Sequence, residues 1–207
     1  MKIIYDEVGP FAANGLAKVR LDESKTERFG FVDQSGKVVV RIEYETVCLF
    51  DSAGFAKVKK NNKWGFVNLL GEELIPTIYD NAGFFREGLV KVCQHSKGGV
   101  VNTQGKIIVP IKYDWIWEFS ERLAVVRNGD QQGAVNLNGE IAIPLIYNFM
   151  KPFSNGLSAA KKDGKWGYVN TDGTLQIPFI YDDAWSFKNG TAQVRLGSEF
   201  LYIGLEA

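Results

Sequence analysis

The sequence predicts an all-β protein made of six repeats of about 34 residues, and three observations carry that expectation. A tyrosine recurs at Tyr5, Tyr44, Tyr79, Tyr113, Tyr147 and Tyr181, at intervals of 39, 35, 34, 34 and 34 residues. The same series of short phrases follows each tyrosine, best seen in KKNNKWGFVNLLGEELIP from Lys59 to Pro76 and KKDGKWGYVNTDGTLQIP from Lys161 to Pro178. No stretch sustains the 3.6-residue apolar period of a helix, and glycine recurs too often for helices.

Taken in chain order, each phrase has a physical reading. A phenylalanine stands six residues after each tyrosine, at Phe11, Phe50, Phe85, Phe119, Phe153 and Phe187. A Gly-Leu-Ala-x-Val phrase or a close variant follows, as in Gly15 to Val19 and, with Val90 for Ala, Gly88 to Val92, and reads as a strand because β-branched residues suit a pleated surface. An aromatic-Gly pair comes next (Phe29-Gly30, Trp64-Gly65, Trp166-Gly167) and leads into Val-Asn or Val-Asp, which reads as a second strand. Asp163-Gly164 and Asp172-Gly173 are hairpin signals, since glycine accepts a positive φ. Pro76, Pro110, Pro144 and Pro178 mark the end of a further strand, because proline cannot donate to a ladder. The unit is thus an antiparallel meander of three strands, or four if the segment from Tyr-Asp to Phe is extended.

One such unit cannot bury its own core, so neighbours must stack and share it. The phenylalanine after each tyrosine and the aromatic before each glycine are the natural shared fillers. The repeats run over 5–43, 44–78, 79–112, 113–146, 147–180 and 181–207 plus 1–4, within a single repeat domain of residues 1–207. The last copy stops at Phe200-Leu201-Tyr202-Ile203-Gly204, while Met1-Lys2-Ile3-Ile4 aligns with the strand it lacks. That arrangement predicts a six-bladed β-propeller closed by the N-terminal strand, which protects the strand edges. An open β-solenoid or twisted β-repeat array is the alternative.

The phrases Lys63-Trp64-Gly65-Phe66-Val67-Asn68 and Lys165-Trp166-Gly167-Tyr168-Val169-Asn170 resemble the WG (KWG) repeat family of bacterial proteins. The resemblance extends over nearly the whole chain as six copies. It implies a bacterial β-repeat protein and no particular reaction, and its motif carries no catalytic residue to transfer. The chain departs from the pattern where Phe29, Gly98, Gln132 and Phe200 hold the Trp position, where Leu201 holds the Gly position, and where the first copy inserts residues around Glu23 to Arg28.

Composition narrows the function. The 24 basic and 24 acidic residues cancel, and no block of either sign appears. A nucleic-acid partner calls for a basic excess, and an anionic membrane surface for net positive charge, so neither is expected. No apolar run approaches the roughly 20 residues of a membrane helix, and no secretory leader is visible, which favours the cytoplasm. Cys48 and Cys93 fall at different phases of the repeat and read as small buried apolar residues rather than a repeated disulfide or metal device. No cofactor motif occurs, neither a P-loop nor a dinucleotide fingerprint.

The search for chemistry yields little. His95 is the only histidine, and Cys93-Gln94-His95 supplies too few ligands for zinc, so His95 reads as an exposed hairpin residue. Asp6, Asp80, Asp114 and Asp182 recur after the tyrosines, and recurrence with the period suits carboxylates that accept hydrogen bonds from turn backbone. The position three after each tyrosine is always apolar (Val8, Val47, Ala82, Ile116, Met150, Ala184) and reads as core. Its neighbours vary and include Phe84, Trp115, Trp117, Glu118, Phe149, Lys151, Asp183 and Trp185. These eight residues are the candidate ligand-binding set, either as an exposed aromatic patch with a few charges or as packing between repeats. An exposed patch suits a protein, peptide or glycan partner. The expectation is a non-enzymatic binding or scaffold module, with a carboxylate-based enzyme in the centre of the repeat ring as the alternative.

Overall fold

A computed structural model describes residues 4–23 and 26–204. All regular elements among them are strands, which form six antiparallel sheets, one for each repeat. The first sheet holds β1 (Glu7–Phe11), β2 (Leu16–Glu23), β3 (Thr26–Asp33) and β4 (Val38–Tyr44), in that order. The second holds β5 (Thr46–Val47), β6 (Phe55–Lys60), β7 (Lys63–Asn68) and β8 (Glu73–Tyr79). The third holds β9 (Asn81–Ala82), β10 (Leu89–Gln94), β11 (Lys97–Asn102) and β12 (Ile107–Tyr113). The fourth holds β13 (Trp115–Ile116), β14 (Leu123–Asn128), β15 (Gln131–Asn136) and β16 (Ile141–Tyr147). The fifth holds β17 (Phe149–Met150), β18 (Leu157–Lys162), β19 (Lys165–Asn170) and β20 (Leu175–Tyr181). The sixth has three strands among the described residues, β21 (Asp183–Ala184), β22 (Thr191–Leu196) and β23 (Glu199–Gly204).

The four-stranded reading of the meander therefore holds in five sheets, with a two-residue strand starting two residues after the tyrosine in all but the first, where β1 is longer. The extra residues of the first copy lengthen the β2–β3 hairpin, which pairs without interruption out to Glu23 opposite Thr26.

The turns follow from the repeated residues. Asp163 and Gly164 have φ of 49° and 83°, the two positive values that a tight hairpin between right-twisted strands needs. After the third strand, the Asn68 carbonyl Oδ1 accepts from the backbone N–H of Leu70 at 3.0 Å and of Glu72 at 2.9 Å. Asp33, Asn102, Asn136 and Asn170 repeat this closure at their own turns. The Val-Asn phrase is thus an Asx turn that launches the fourth strand.

Contacts divide the chain into two compact units: Met1–Ser96 with Val101–Lys106, and Lys97–Val100 with Ile107–Ala207. Residues of the third sheet belong to both. In the first unit, Phe31, Val40 and Tyr44 of the first sheet bury against Val47, Ala56, Val58 and Val67 of the second. In the second unit, Leu123, Val125, Ala134 and Tyr147 pack on Met150, Phe153 and Ala160. There, too, Ala159, Trp166 and Tyr168 pack on Ala184, Phe187 and Val194. One face of a sheet thus meets the opposite face of the next, which is how units too small to own a core share one.

The repeated phenylalanines fill these layers. Phe50 lies against Phe31 at 4.9 Å between ring centres, Phe85 against Phe66 at 4.9 Å and Phe187 against Tyr168 at 5.0 Å. Each therefore packs on the aromatic that follows the repeated glycine one copy earlier. In the second unit a polar ladder runs beside them: Ser120 Oγ donates to the Phe153 carbonyl and Ser154 Oγ to the Phe187 carbonyl, both at 2.7 Å.

Four expectations need correction or restriction. Pro76, Pro110, Pro144 and Pro178, read as strand ends, lie inside β8, β12, β16 and β20, each an edge strand of its sheet, where a missing N–H is tolerated. Position three after the tyrosine is buried in five copies, but Val8 is 53% exposed, although Val19 opposite it is buried. Cys48 and Cys93 are half-buried rather than buried, and both are free thiols. The closing strand expected at Met1–Ile4 lies, apart from Ile4, outside the described residues, and Ile4 belongs to no strand.

Candidate functional site

The carboxylates after the tyrosines are the groups an enzyme would use. Asp80 Oδ2 accepts from the His95 backbone N–H at 2.6 Å, and its other oxygen takes the Lys63 ammonium. Asp114 accepts from the Gly129 N–H and pairs with Lys97; Asp182 accepts from the Gly197 N–H at 2.7 Å and pairs with Lys165 at 2.7 Å. Asp6 receives the Asp22 N–H at 2.7 Å, and Asn148, the equivalent residue of the fifth copy, receives the Asp163 N–H at 3.1 Å. Each side chain clips the start of its sheet to the next hairpin, and Lys63, Lys97 and Lys165, which open the Lys-x-Gly phrase, are the counter-ions of Asp80, Asp114 and Asp182. The lysine hydrogen bond first, and the backbone N–H second, hold the carboxyls of Asp80, Asp114 and Asp182 below the usual carboxylate range. A carboxyl kept ionised and fully engaged is poorly placed to donate a proton. His95 sits exposed in one of these turns with φ of 51°. Among the described residues no group of three or more His, Cys, Asp or Glu is placed to hold a metal ion.

The variable residues are brought together in a different way. The second unit places Lys151 with its ammonium 5.4 Å from the ring centre of Trp166 and 5.5 Å from that of Trp185. Phe149 meets Trp166 edge-on at 5.6 Å, and Trp185 meets Phe200 at 6.2 Å. Asp183 is held by Arg195, which donates through both Nε and a terminal nitrogen. Burial pushes the Lys151 ammonium below its ordinary value, with the charge of Asp183 opposing. Trp115 and Trp117 form a second group, edge to face at 6.3 Å.

Cross-strand register explains the assembly. Phe149 stands opposite Lys161, and Lys161 opposite Trp166, so one row of one face carries all three. In the sixth sheet Asp183, Arg195 and Phe200 form the same row. Four of the aromatics are exposed rather than core, Trp115 keeping 53% of its surface, Trp185 41%, Phe149 37% and Trp117 36%, whereas Trp166 keeps 9% and belongs to the core. Glu118 is exposed as well, and Lys151 and Asp183 are half-buried. Phe84 belongs to the first unit, where it keeps 66% of its surface. It lies 5.3 Å from the ammonium of Lys57, which sits over Trp64 at 4.1 Å and donates to the Ala82 carbonyl.

Sequence reasoning missed Trp166, Arg195 and Phe200 as members of this surface. Trp166 was hidden because it occupies the structural column of the motif, and the other two because their place depends on register across a hairpin. The spacing of the column to Lys161 and Phe149 could have revealed Trp166.

The WG-containing-repeat family model matches residues 2–23, 29–64, 64–97, 99–131, 133–166 and 166–199. The chain belongs to the WG-repeat family. Its matches reach through all six sheets, so the family motif and the sheet share one period. No curated protein matches the sequence. Among solved structures, a eukaryotic initiation factor aligns with 89% of this chain and 58% of its own, at 11% identity and a TM-score of 0.49. Hsv2p of Kluyveromyces lactis aligns with 91% of this chain and 71% of its own, at 14% identity and a TM-score of 0.41. The extracellular domain of a hybrid two-component system of B. thetaiotaomicron aligns with 94% of this chain and 32% of its own, at 9% identity and a TM-score of 0.42. At such scores these likenesses carry no argument about function.

Proposed function

We propose that this WG-repeat protein is a non-enzymatic binding module, and that the aromatic strip of its second unit takes a protein, peptide or glycan partner. The observation that carries this reading is Lys151 between Trp166 and Trp185, flanked by Phe149 and by the Asp183–Arg195 pair. Exposed aromatic faces supply apolar contact at small entropic cost, while a partly dehydrated ammonium and a fixed ion pair supply direction. The carboxylate-enzyme alternative is weaker, because Asp80, Asp114 and Asp182 are held ionised and are already bound by lysines and turn N–H groups.

The test is to probe peptide and glycan arrays with the full chain and with Trp185→Ala and Lys151→Ala. The reading expects a ligand whose affinity falls at least about tenfold in both variants. A chain that binds nothing on either array, or whose ligands ignore both substitutions, overturns it.

A further inference from the structure

The outer edge of β23 differs from that of every other third strand. In the first, second, fourth and fifth sheets the third strand pairs with a fourth through a bulge centred on the repeated glycine. A Cβ at Gly65 would meet the Ile75 carbonyl oxygen at 2.5 Å, and at Gly167 the Ile177 carbonyl oxygen at 2.5 Å. Leu201 occupies this position in the sixth sheet, so a fourth strand of the same bulged geometry would collide with its side chain. Among the described residues no such strand is present.

The edge is nevertheless built for pairing. β23 runs in unbroken register with β22 from Glu199 to Gly204. Phe200 and Tyr202 keep 58% and 76% of their surface, and Leu201 keeps 39%. The strand contains no proline and no lysine, the devices that keep an open edge from pairing.

We propose that β23 pairs antiparallel with β23 of a second copy of this chain, about a two-fold axis at Leu201. The strand is self-complementary about that residue. Pairing there sets Phe200 opposite Tyr202 of the second copy, twice, and aromatic cross-strand pairs are among the better ones. It also sets Glu199 opposite Ile203, so no like charges face each other. Phe200 and Tyr202 lie on the face that carries Trp185, so the joined sheet has six strands and one continuous aromatic face. So short an interface predicts a weak dimer, with a dissociation constant on the order of micromolar or weaker. The inference is independent of any ligand.

Sedimentation velocity on the full chain, up to roughly 1 mM to cover that weak range, tests it. Wild type is expected to pass from monomer to dimer with concentration, and Tyr202→Lys and Phe200→Glu to remain monomeric, each folded by circular dichroism. The double variant Phe200→Glu/Tyr202→Lys is expected to regain the dimer, since each new carboxylate then faces a new ammonium across the axis. Amide exchange in residues 199–204 of the wild type is expected to slow as concentration rises, a readout that needs no variant. A wild type monomeric throughout, a dimer that survives both single substitutions, or a folded double variant that stays monomeric overturns the proposal.

Discussion

Gly65→Ala tests why the repeat carries glycine after its aromatic. Gly65 lies outside the left-handed region of φ, so the backbone itself would accept alanine. Space is the obstacle. The new methyl would meet the Ile75 carbonyl oxygen at 2.5 Å, the Pro76 carbonyl carbon at 2.8 Å and the Thr77 nitrogen at 2.8 Å. All three are backbone atoms of β8, so relief requires the strand to move. Overpacking of this kind costs about 1–3 kcal/mol, and rigid neighbours put the site at the upper end. Alanine returns about 0.5–1 kcal/mol by restricting the unfolded chain. The net loss is about 2 kcal/mol, which for a chain of this size is about 4–8 °C in midpoint. Thermal unfolding followed by circular dichroism reads it. Leu201→Ala is the control, because no fourth strand presses on that position among the described residues. A Gly65→Ala protein that melts within about 1 °C of wild type would refute the steric reading.

Two further outcomes are expected. The depressed carboxyls of Asp80, Asp114 and Asp182 contribute stability above the unfolded carboxyl value near 4, and that contribution is lost as pH falls through their lower folded values. Replacing all three by Asn should flatten the acid limb of a stability–pH curve from urea titrations, and an unchanged limb would remove these clips as its source. Acrylamide quenching of tryptophan fluorescence should fall in Trp115→Phe/Trp117→Phe, since both rings are exposed and Trp166 is 9% exposed; unchanged quenching would mean that the pair is shielded in solution.

The repeat made most of the fold legible. Tyrosine spacing set the number of sheets and Asp-Gly and Val-Asn set the turns, whereas Ile-Pro, read as a strand end, lies inside the fourth strand. Less legible was what register does across hairpins. Lys63 and Asp80 are 17 residues apart, and no local pattern says that one reaches the other; the antiparallel ladder does. Trp166 joined the candidate surface for the same reason. The exposure of Val8 was illegible because the column that predicts burial is apolar in every copy.

The two units also differ in a way that bears on function. At the fourth residue after the tyrosine, the first three copies carry Gly9, Cys48 and Gly83, and the last three Trp117, Lys151 and Trp185. The residue facing that position on the next strand changes in the opposite sense. It is Lys57 opposite Cys48 and Lys91 opposite Gly83, but Val125 opposite Trp117, Ala159 opposite Lys151 and Gln193 opposite Trp185, each pair joined by a backbone hydrogen bond. Lys57 reaches the Ala82 carbonyl one copy on, as Lys18 reaches that of Val47 at 3.3 Å. In the fifth copy Tyr168 donates instead, to the Trp185 carbonyl at 2.8 Å. Copies two and three thus set a small residue beside a lysine, copies four and five a large residue beside Val125 or Ala159, and the sixth Trp185 beside Gln193. The frame does not require tryptophan at position 185, and Trp185→Cys/Gln193→Lys transplants the pair of the second copy into the sixth. The double variant should stay within about 1 kcal/mol of wild type, because Trp185 keeps 41% of its surface exposed and is not core, while losing the ligand of the aromatic strip. A larger destabilisation would assign Trp185 to packing; retained stability with retained binding would place the ligand elsewhere.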